Sequence, residues 1–248
     1  MKLEVASGIS LIAGGGLLAL HGFIRGAVEH INLGIAGMFL GAILLTFKGK
    51  EYIKKESVEL VGGSYESILE RMVRNLALDG NAIFIPPYDN LPKGGLFVPL
   101  HEDFDLDLAR LDENKVFLTD VPREKAMGLF LGPVGTPLVE KFEEHLEGPL
   151  NGIGSEAVES VASSVLKTLG LAEKVYIEEE DDTFRVIVDP SIECNVEDCE
   201  KTPCPICASV LLALAKGTNE LLLIESVYEK EYGIEMRIKK LGGVEEWM

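Results

Sequence analysis

The stretch VASGISLIAGGGLLALHGFI, residues 5–24, is apolar except for two serines and one histidine. A second apolar run, INLGIAGMFLGAILLTF, covers residues 31–47 and is interrupted only by one asparagine and one threonine. Each run is about the length that a helix needs to cross a bilayer core of roughly 30 Å. The link between them is short, so residues 1–50 are predicted to form an antiparallel transmembrane hairpin that meets the lipid bilayer through residues 5–47.

Small residues recur every four positions along both predicted helices. They are Ala6, Ser10, Gly14, Gly22 and Gly26 in the first helix, and Gly34, Gly37 and Gly41 in the second. Small side chains let helices approach closely in lipid, where no hydrophobic force drives their association. Packing of the hairpin against itself is the favoured interpretation, and a homo-oligomer formed through a leftover small face is the alternative.

Basic residues lie mainly at one end of the hairpin. Lys2 precedes the first helix and four lysines follow the second within residues 48–55, whereas the connecting turn carries only Arg25. By the positive-inside rule, the chain is predicted to be a two-pass protein of the cell membrane with both termini and the soluble domain in the cytoplasm. A cleaved signal peptide is the weaker alternative, because Glu4 follows the single lysine and no small-x-small cleavage site leads into a mature domain.

The remainder of the chain is strongly acidic. Residues 57–248 hold 37 of the 41 acidic residues and 17 of the 23 basic ones, and the whole chain has a formal net charge of −18. This balance argues against nucleic acid as a partner and against lying flat on anionic lipid. It suits a basic partner or a cation, although solubility alone also explains it. Gln is absent while Glu, Lys and branched aliphatics abound, a bias typical of hot-growing microbes.

The order helix, strand, strand occurs three times in the acidic part. The predicted units are a helix over 64–79 with strands at 82–85 and 96–100, a helix over 155–170 with strands at 174–178 and 183–188, and a helix over 205–217 with strands at 220–228 and 234–240. Repeated α-β-β units with hairpins covered by helices predict an α+β fold with an antiparallel sheet. A linker over 51–63 that breaks at Gly62-Gly63 is predicted to precede two α+β subdomains, 64–150 and 151–248.

All four cysteines of the chain fall in one short segment before the third of these helices. They are Cys194, Cys199, Cys204 and Cys207. Four thiolates can surround one Zn²⁺ tetrahedrally or hold an iron–sulfur cluster, and the final Cys-Pro-Ile-Cys has the usual chelating spacing. A structural metal is favoured over a catalytic one, because four cysteines leave no open coordination position.

Other interpretations of the cysteines remain open. They could form one or two disulfides, which occur in the cytosol of hyperthermophiles. Cys204 and Cys207 could form a redox dithiol at a helix N-terminus, where the helix dipole lowers the pKa of a thiol, or Cys207 could simply fill the core. The acidic neighbours would stabilise a bound cation but oppose four free thiolates; they are Glu193, Glu197, Asp198 and Glu200.

Two further motifs have a weaker link to chemistry. The turn Gly132-Pro-Val-Gly-Thr-Pro137 leads into a predicted helix over 137–147, with Thr136 as its N-cap. It could present N–H groups to a phosphate, but it lacks the lysine of a P-loop, and a capped turn is favoured.

The acidic segment 101–107 could bind a divalent cation, but its spacing does not fit an EF-hand, and an exposed acidic loop is favoured. No recognisable catalytic set is present, so enzymatic activity is not predicted.

The hairpin followed by an acidic domain resembles an uncharacterised archaeal membrane-protein family with two N-terminal transmembrane helices and a cytoplasmic α/β domain. The cysteine-rich start of the third helix and the Val/Ile/Glu-rich hairpin after it also resemble the end of vinyl-reductase-type ligand-binding domains. Neither resemblance implies a reaction or any site residue.

The predicted function is a membrane-anchored module that presents a cytoplasmic α+β domain to a protein or small-molecule partner, stapled by a cysteine-held zinc. The alternative is a membrane-tethered redox or iron–sulfur electron-transfer component.

Overall fold

The chain divides into two compact units, Met1–Lys54 and Lys55–Met248. The computed structural model describes residues 3–46, 54–132, 134–192, 194, 196 and 198–248. The first unit contains a helix pair, as predicted, formed by α1 (Leu3–Arg25) and α2 (Val28–Thr46). Within them, Ala6–Arg25 and Val28–Thr46 are long and apolar enough to cross a membrane, and only 11% of each segment is buried.

Glycines at a seven-residue spacing bring α1 and α2 together. A Cβ atom at Gly15 would lie 2.6 Å from the carbonyl oxygen of Gly34, and one at Gly41 would lie 2.7 Å from that of Gly8. Seven residues are nearly two helical turns, so each set of glycines stays on one face. The predicted spacing of four included Gly14 instead, whose Cβ position has no neighbour within 4 Å, because steps of four drift away from the contact line.

The second unit is α+β, as predicted. Its helices are α3 (Lys55–Asn75), α4 (Thr136–Leu146), α5 (Ser155–Leu169) and α6 (Pro205–Thr218). Its strands are β1 (Ile83–Ile85), β2 (Gly95–Pro99), β3 (Phe117–Leu118), β4 (Gly128–Phe130), β5 (Ala172–Glu180), β6 (Thr183–Pro190), β7 (Glu220–Lys230) and β8 (Gly233–Gly243). These strands form one antiparallel sheet in the order β3-β4-β2-β1-β7-β8-β6-β5. Strands from both predicted subdomains therefore lie in the same sheet.

Helix α3 continues through Gly62 and Gly63, where the sequence analysis predicted a break. Leu69, Met72 and Val73 anchor the second half of the helix to the core, and the helix carries the two glycines at a cost of about 1 kcal/mol each relative to alanine. Packing of the apolar stripe therefore overrides the weak local propensity. Residues 51–53 of the predicted linker lie outside the described part of the chain.

Helix α6 lies at the centre of the larger hydrophobic core. Each residue from Ile206 to Ala215 is buried, and the helix contacts α4, α5, β1, β2 and β7. Its sequence is apolar on all sides, which is typical of a helix surrounded by protein. Because α6 is held so firmly, its N-terminal turn provides a fixed platform for the cysteines located there.

A smaller core covers the opposite face of the sheet at β1, β2 and β4. Residues from the short 3₁₀ segment Leu108–Arg110 and from the C-terminal end of the chain, including Trp247, pack there. Along β5, β6 and β8, by contrast, buried and more exposed residues alternate. This half of the sheet is therefore covered by helices on one face and carries ion pairs on the other, such as Arg185 with Glu235 at 2.8 Å.

Lys240 closes one edge of the larger core. Its ammonium group donates hydrogen bonds to a carboxylate oxygen of Glu179 at 2.6 Å and to the carbonyl oxygen of Asp181 at 3.1 Å, and it lies 4.5 Å from the centre of the Phe184 ring. The hydrogen bond from Lys240, followed by one from Ser155, lowers the pKa of Glu179 below its usual 4.5.

We expect Lys240→Met to reduce the free energy of unfolding by about 1 kcal/mol at neutral pH, since a partly exposed charged hydrogen bond and a cation–π contact are lost. Because folding lowers the pKa of Glu179, this contribution is present above pH 4.5 and fades as the pH falls below that value. Denaturant unfolding at several pH values measures it. Lys239→Met, which removes the same charge from an exposed neighbour, should have little effect; an equal loss in both variants would contradict the assignment.

Candidate functional site: a cysteine cluster at the start of α6

The four cysteines come together between the end of β6 and the first turn of α6. Cys194 is half-buried, the other three are buried, and all four carry free thiols. The Sγ atoms of Cys194, Cys204 and Cys207 all lie within 4.8 Å of one another. Cys199 is outside this trio, but its thiol forms a hydrogen bond with that of Cys207. Three of the predicted ligands are thus close enough to share a metal ion, and the fourth is adjacent.

Contacts with α3 and the sheet hold the loop that carries these cysteines. Asp198 pairs with Arg74 of α3 at 2.6 Å, and the backbone oxygen of Glu200 accepts a hydrogen bond from Ala82 at 2.8 Å. The carboxylate of Glu200 accepts another from the Val227 amide. These two acidic residues therefore stabilise the loop through partners outside the cluster. The other two that the sequence analysis named, Glu193 and Glu197, lie outside the described residues.

The thiols of the cluster share protons around Cys204. The pKa of the Cys204 thiol lies well below the usual 9.0, mainly because Cys194 and Cys207 donate hydrogen bonds to its sulfur. The backbone N–H groups of Cys207 and Ile206 lower it further. Donation to Cys204 raises the pKa of Cys194, and hydrogen bonds with Cys194, Cys199 and Cys204 raise that of Cys207. One thiolate is therefore stabilised by the surrounding thiols. A divalent cation could replace the shared protons, because metal ligation requires deprotonated cysteines.

The spacing of the sulfur atoms suits a single metal ion. Tetrahedral Zn–S bonds of about 2.3 Å place the sulfurs roughly 3.8 Å apart, so the trio, at up to 4.8 Å, needs only a small contraction. The described trio therefore has a spacing at which its sulfurs could bind a metal ion.

Burial disfavours a redox dithiol at Cys204 and Cys207. The two residues are 3% and 0% exposed. Thiol–disulfide exchange requires an attacking thiolate to reach a disulfide on another molecule, and neither sulfur is accessible enough for that. Cys194 is the most exposed member of the cluster, so chemical modification would begin there.

The acidic segment at residues 101–107 does not assemble a cation site in the described structure. Asp103 forms an ion pair with Lys125, Asp105 pairs with Arg123 at 2.5 Å, and His101 lies 3.6 Å from Glu124. Each carboxylate of the two aspartates already has a basic partner, as expected for a surface loop.

The glycine-rich turn before α4 packs against α6. Helix α4 begins at Thr136, one residue earlier than predicted, and Gly135 is its N-cap in the left-handed conformation with φ 83°. The hydroxyl of Thr136 donates to the carbonyl oxygen of Gly132 at 2.8 Å instead of capping the helix. A Cβ at Gly135 would lie 2.8 Å from the backbone nitrogen of Ser209. The turn is thus a packing contact with α6, and the prediction that Thr136 is the N-cap is wrong.

Glu66, which was not predicted from the sequence, lines a cleft together with Cys194 and Cys204. Burial raises the pKa of its carboxyl, and Cys204 and then Glu70 add to the effect. A signal was present in the sequence: Glu66 lies three and seven residues before Leu69 and Val73, on the otherwise apolar stripe of α3. An acidic residue in an apolar stripe is a candidate for a functional position.

Two histidines of the first unit also come together unpredicted. The rings of His21 and His30 lie edge to face with their centroids 6.2 Å apart, because the turn at Gly26 brings the end of α1 against the start of α2.

Residues 6–237 match the model of a family described as Domain of unknown function (DUF7982). No curated protein and no solved structure matches the chain. Since the match spans most of the sequence, the chain belongs to this family.

Proposed function

We propose that this member of the family is a non-enzymatic, membrane-anchored binding module whose α+β unit is stapled by one zinc ion held by Cys194, Cys199, Cys204 and Cys207. The observation that carries the metal is the convergence of three free thiols within 4.8 Å, with the fourth cysteine adjacent. Movement of the Cys199 sulfur toward the trio would complete a tetrahedral shell. Four sulfur ligands leave no position for a substrate, so the metal acts on stability rather than on chemistry.

The membrane anchor is the helix pair α1 and α2. Two mostly exposed helices of this length and apolarity match the thickness of a bilayer core. The lysines at residues 48–55 support a cytoplasmic position for both termini and the α+β unit, by the positive-inside rule. An archaeal, thermophilic source remains a prediction from composition and resemblance. In a reducing cytoplasm, clustered cysteines are metal ligands more often than disulfides.

Metal analysis of the full chain, purified in detergent without chelators, tests the proposal. We expect one zinc per chain and a colourless protein. Iron with bleachable visible absorption would overturn the zinc staple and favour the electron-transfer alternative. Absence of metal, together with thiols that react only after reduction, would replace the staple with disulfides.

The topology has its own test. We expect an epitope tag fused after Met248 to resist external protease in intact cells and to be digested after permeabilisation. Digestion in intact cells would place the α+β unit outside, and would make disulfides the leading explanation for the cysteines.

A further inference from the structure

A cleft of about 670 Å³ opens beside the cysteine cluster. Its walls come from α3, the cysteine loop and the first turn of α6, with further residues from α4, β7 and the segment before β5, all within the second unit. The volume lies in the range of about 300–1,000 Å³ that small-molecule sites occupy. Most of the wall is apolar, with contributions from Val58, Leu138, Leu171, Ile192 and Ile206.

The charged groups of the cleft all have one sign. Glu59, Glu66 and Glu229 line it, and no described residue of its lining is basic. Glu59 is also paired with Lys55 at 3.5 Å, whereas Glu66 lines the cleft together with Cys204 and feels the charge of that cysteine. A divalent ion held by three or four thiolates retains net negative charge, so metal binding would not reverse the sign of the cleft.

Helix α3 keeps this cleft open at a cost to its own stability. Gly62 and Gly63 line the cleft, and a Cβ at either position would meet no atom within 4 Å. Two adjacent glycines inside a helix are unfavourable, and no close packing partner requires them. The two glycines leave free volume opposite the cysteines. A choice of residue that weakens the helix in this way is expected at a functional site.

We infer that this cleft binds a small organic cation with an apolar body, whose positive group lies near Glu66 and whose apolar part contacts the aliphatic wall. The inference deepens the ligand-binding part of the proposed function by naming the ligand class and the residues that select it. Apolar walls provide contact area, and the carboxylate of Glu66, in a lining whose described residues include no basic side chain, selects a cation over an anion of similar shape.

Isothermal titration calorimetry on the full chain in nanodiscs of zwitterionic lipid tests the inference, with empty nanodiscs as the blank. The probe is benzyltrimethylammonium, and the anion benzenesulfonate is its opposite-charge counterpart. We expect saturable binding of the cation, and binding of the anion at least tenfold weaker.

Variants then locate the binding site. Glu66→Gln keeps the shape and removes the charge, so we expect about tenfold weaker binding of the cation; Gly63→Leu fills the open volume, so we expect no binding. Glu56→Gln, on the same helix but outside the cleft, should bind as the unaltered chain does. The inference is overturned if the chain does not bind the cation, if it binds both probes equally, or if Glu66→Gln and Gly63→Leu leave binding unchanged.

Zinc content, measured on the same samples, separates this inference from the proposed staple. Cation binding without zinc would leave the cleft assignment standing and remove the staple. Zinc without cation binding would leave the staple standing and remove the cleft assignment. A Gly63→Leu variant that lost zinc would be set aside, and Glu66→Gln would then decide the outcome.

Discussion

Removing the metal from the cysteine cluster should lower the free energy of unfolding of the α+β unit by about 4 kcal/mol, the linkage expected when free metal exceeds its dissociation constant by roughly 1,000-fold. The cluster joins the loop after β6 to the first turn of α6, the helix at the centre of the larger core. Without the metal, the loop after β6 and the first turn of α6 would no longer be linked, and both would become more mobile. For a unit of this size, we expect the melting temperature to fall by roughly 8–16 °C.

Trp247 provides the measurement. It is the single tryptophan of the chain, lies in the smaller core and stacks near Phe104 with ring centroids 6.2 Å apart. Its fluorescence therefore reports the α+β unit without a contribution from α1 and α2. We expect Cys207→Ala to melt like the chelated protein and to show no further change with chelator. A melting temperature that responds to reductant but not to chelator would indicate disulfides instead.

Gly135→Ala should destabilise the same unit by about 3 kcal/mol. An alanine pays roughly 1–2 kcal/mol for the left-handed conformation, and its Cβ would lie 2.8 Å from the nitrogen of Ser209 and 2.9 Å from the carbonyl carbon of Ala208. Both contacts are with the backbone of a buried helix, so α4 must move away from α6. The contact thus accounts for the glycine without any bound phosphate.

Gly170→Ala is the matched control for this prediction. Gly170 ends α5 in the left-handed conformation with φ 71°, and a Cβ there would meet no atom within 4 Å. The variant should therefore lose only the conformational part, about 1–2 kcal/mol. Denaturant unfolding followed by Trp247 fluorescence compares the two. Equal losses would show that the contact between α4 and α6 adds nothing.

Local sequence patterns predicted many of the helices and strands, because the formation of each element depends mainly on residues close to it in the sequence. The apolar stripe of α5 and the all-apolar sequence of α6 each specify their helix without distant contacts. The order of the strands was not predictable in this way. It places β1 beside β7, two strands far apart in the sequence, and such pairing depends on how the helices cover the sheet.

The candidate site likewise has features that local sequence predicts and features that depend on long-range packing. The four clustered cysteines identified the cluster, since their spacing alone keeps them close. Glu66 was missed because α3 brings it to the cleft only after Leu69 and Val73 dock on the core. The contact glycines of α1 were misassigned in part, because the choice between spacings of four and seven depends on how two helices cross.

X-ray absorption at the zinc edge of the full chain, purified without added metal, tests the central claim most directly. It counts the atoms bound to the ion and measures their distances, independently of any effect on stability. We predict four sulfur ligands at about 2.3 Å, with the count falling to three in Cys199→Ser. A shell of nitrogen and oxygen atoms, or no metal in the protein, would contradict the assignment of the four cysteines as a metal staple.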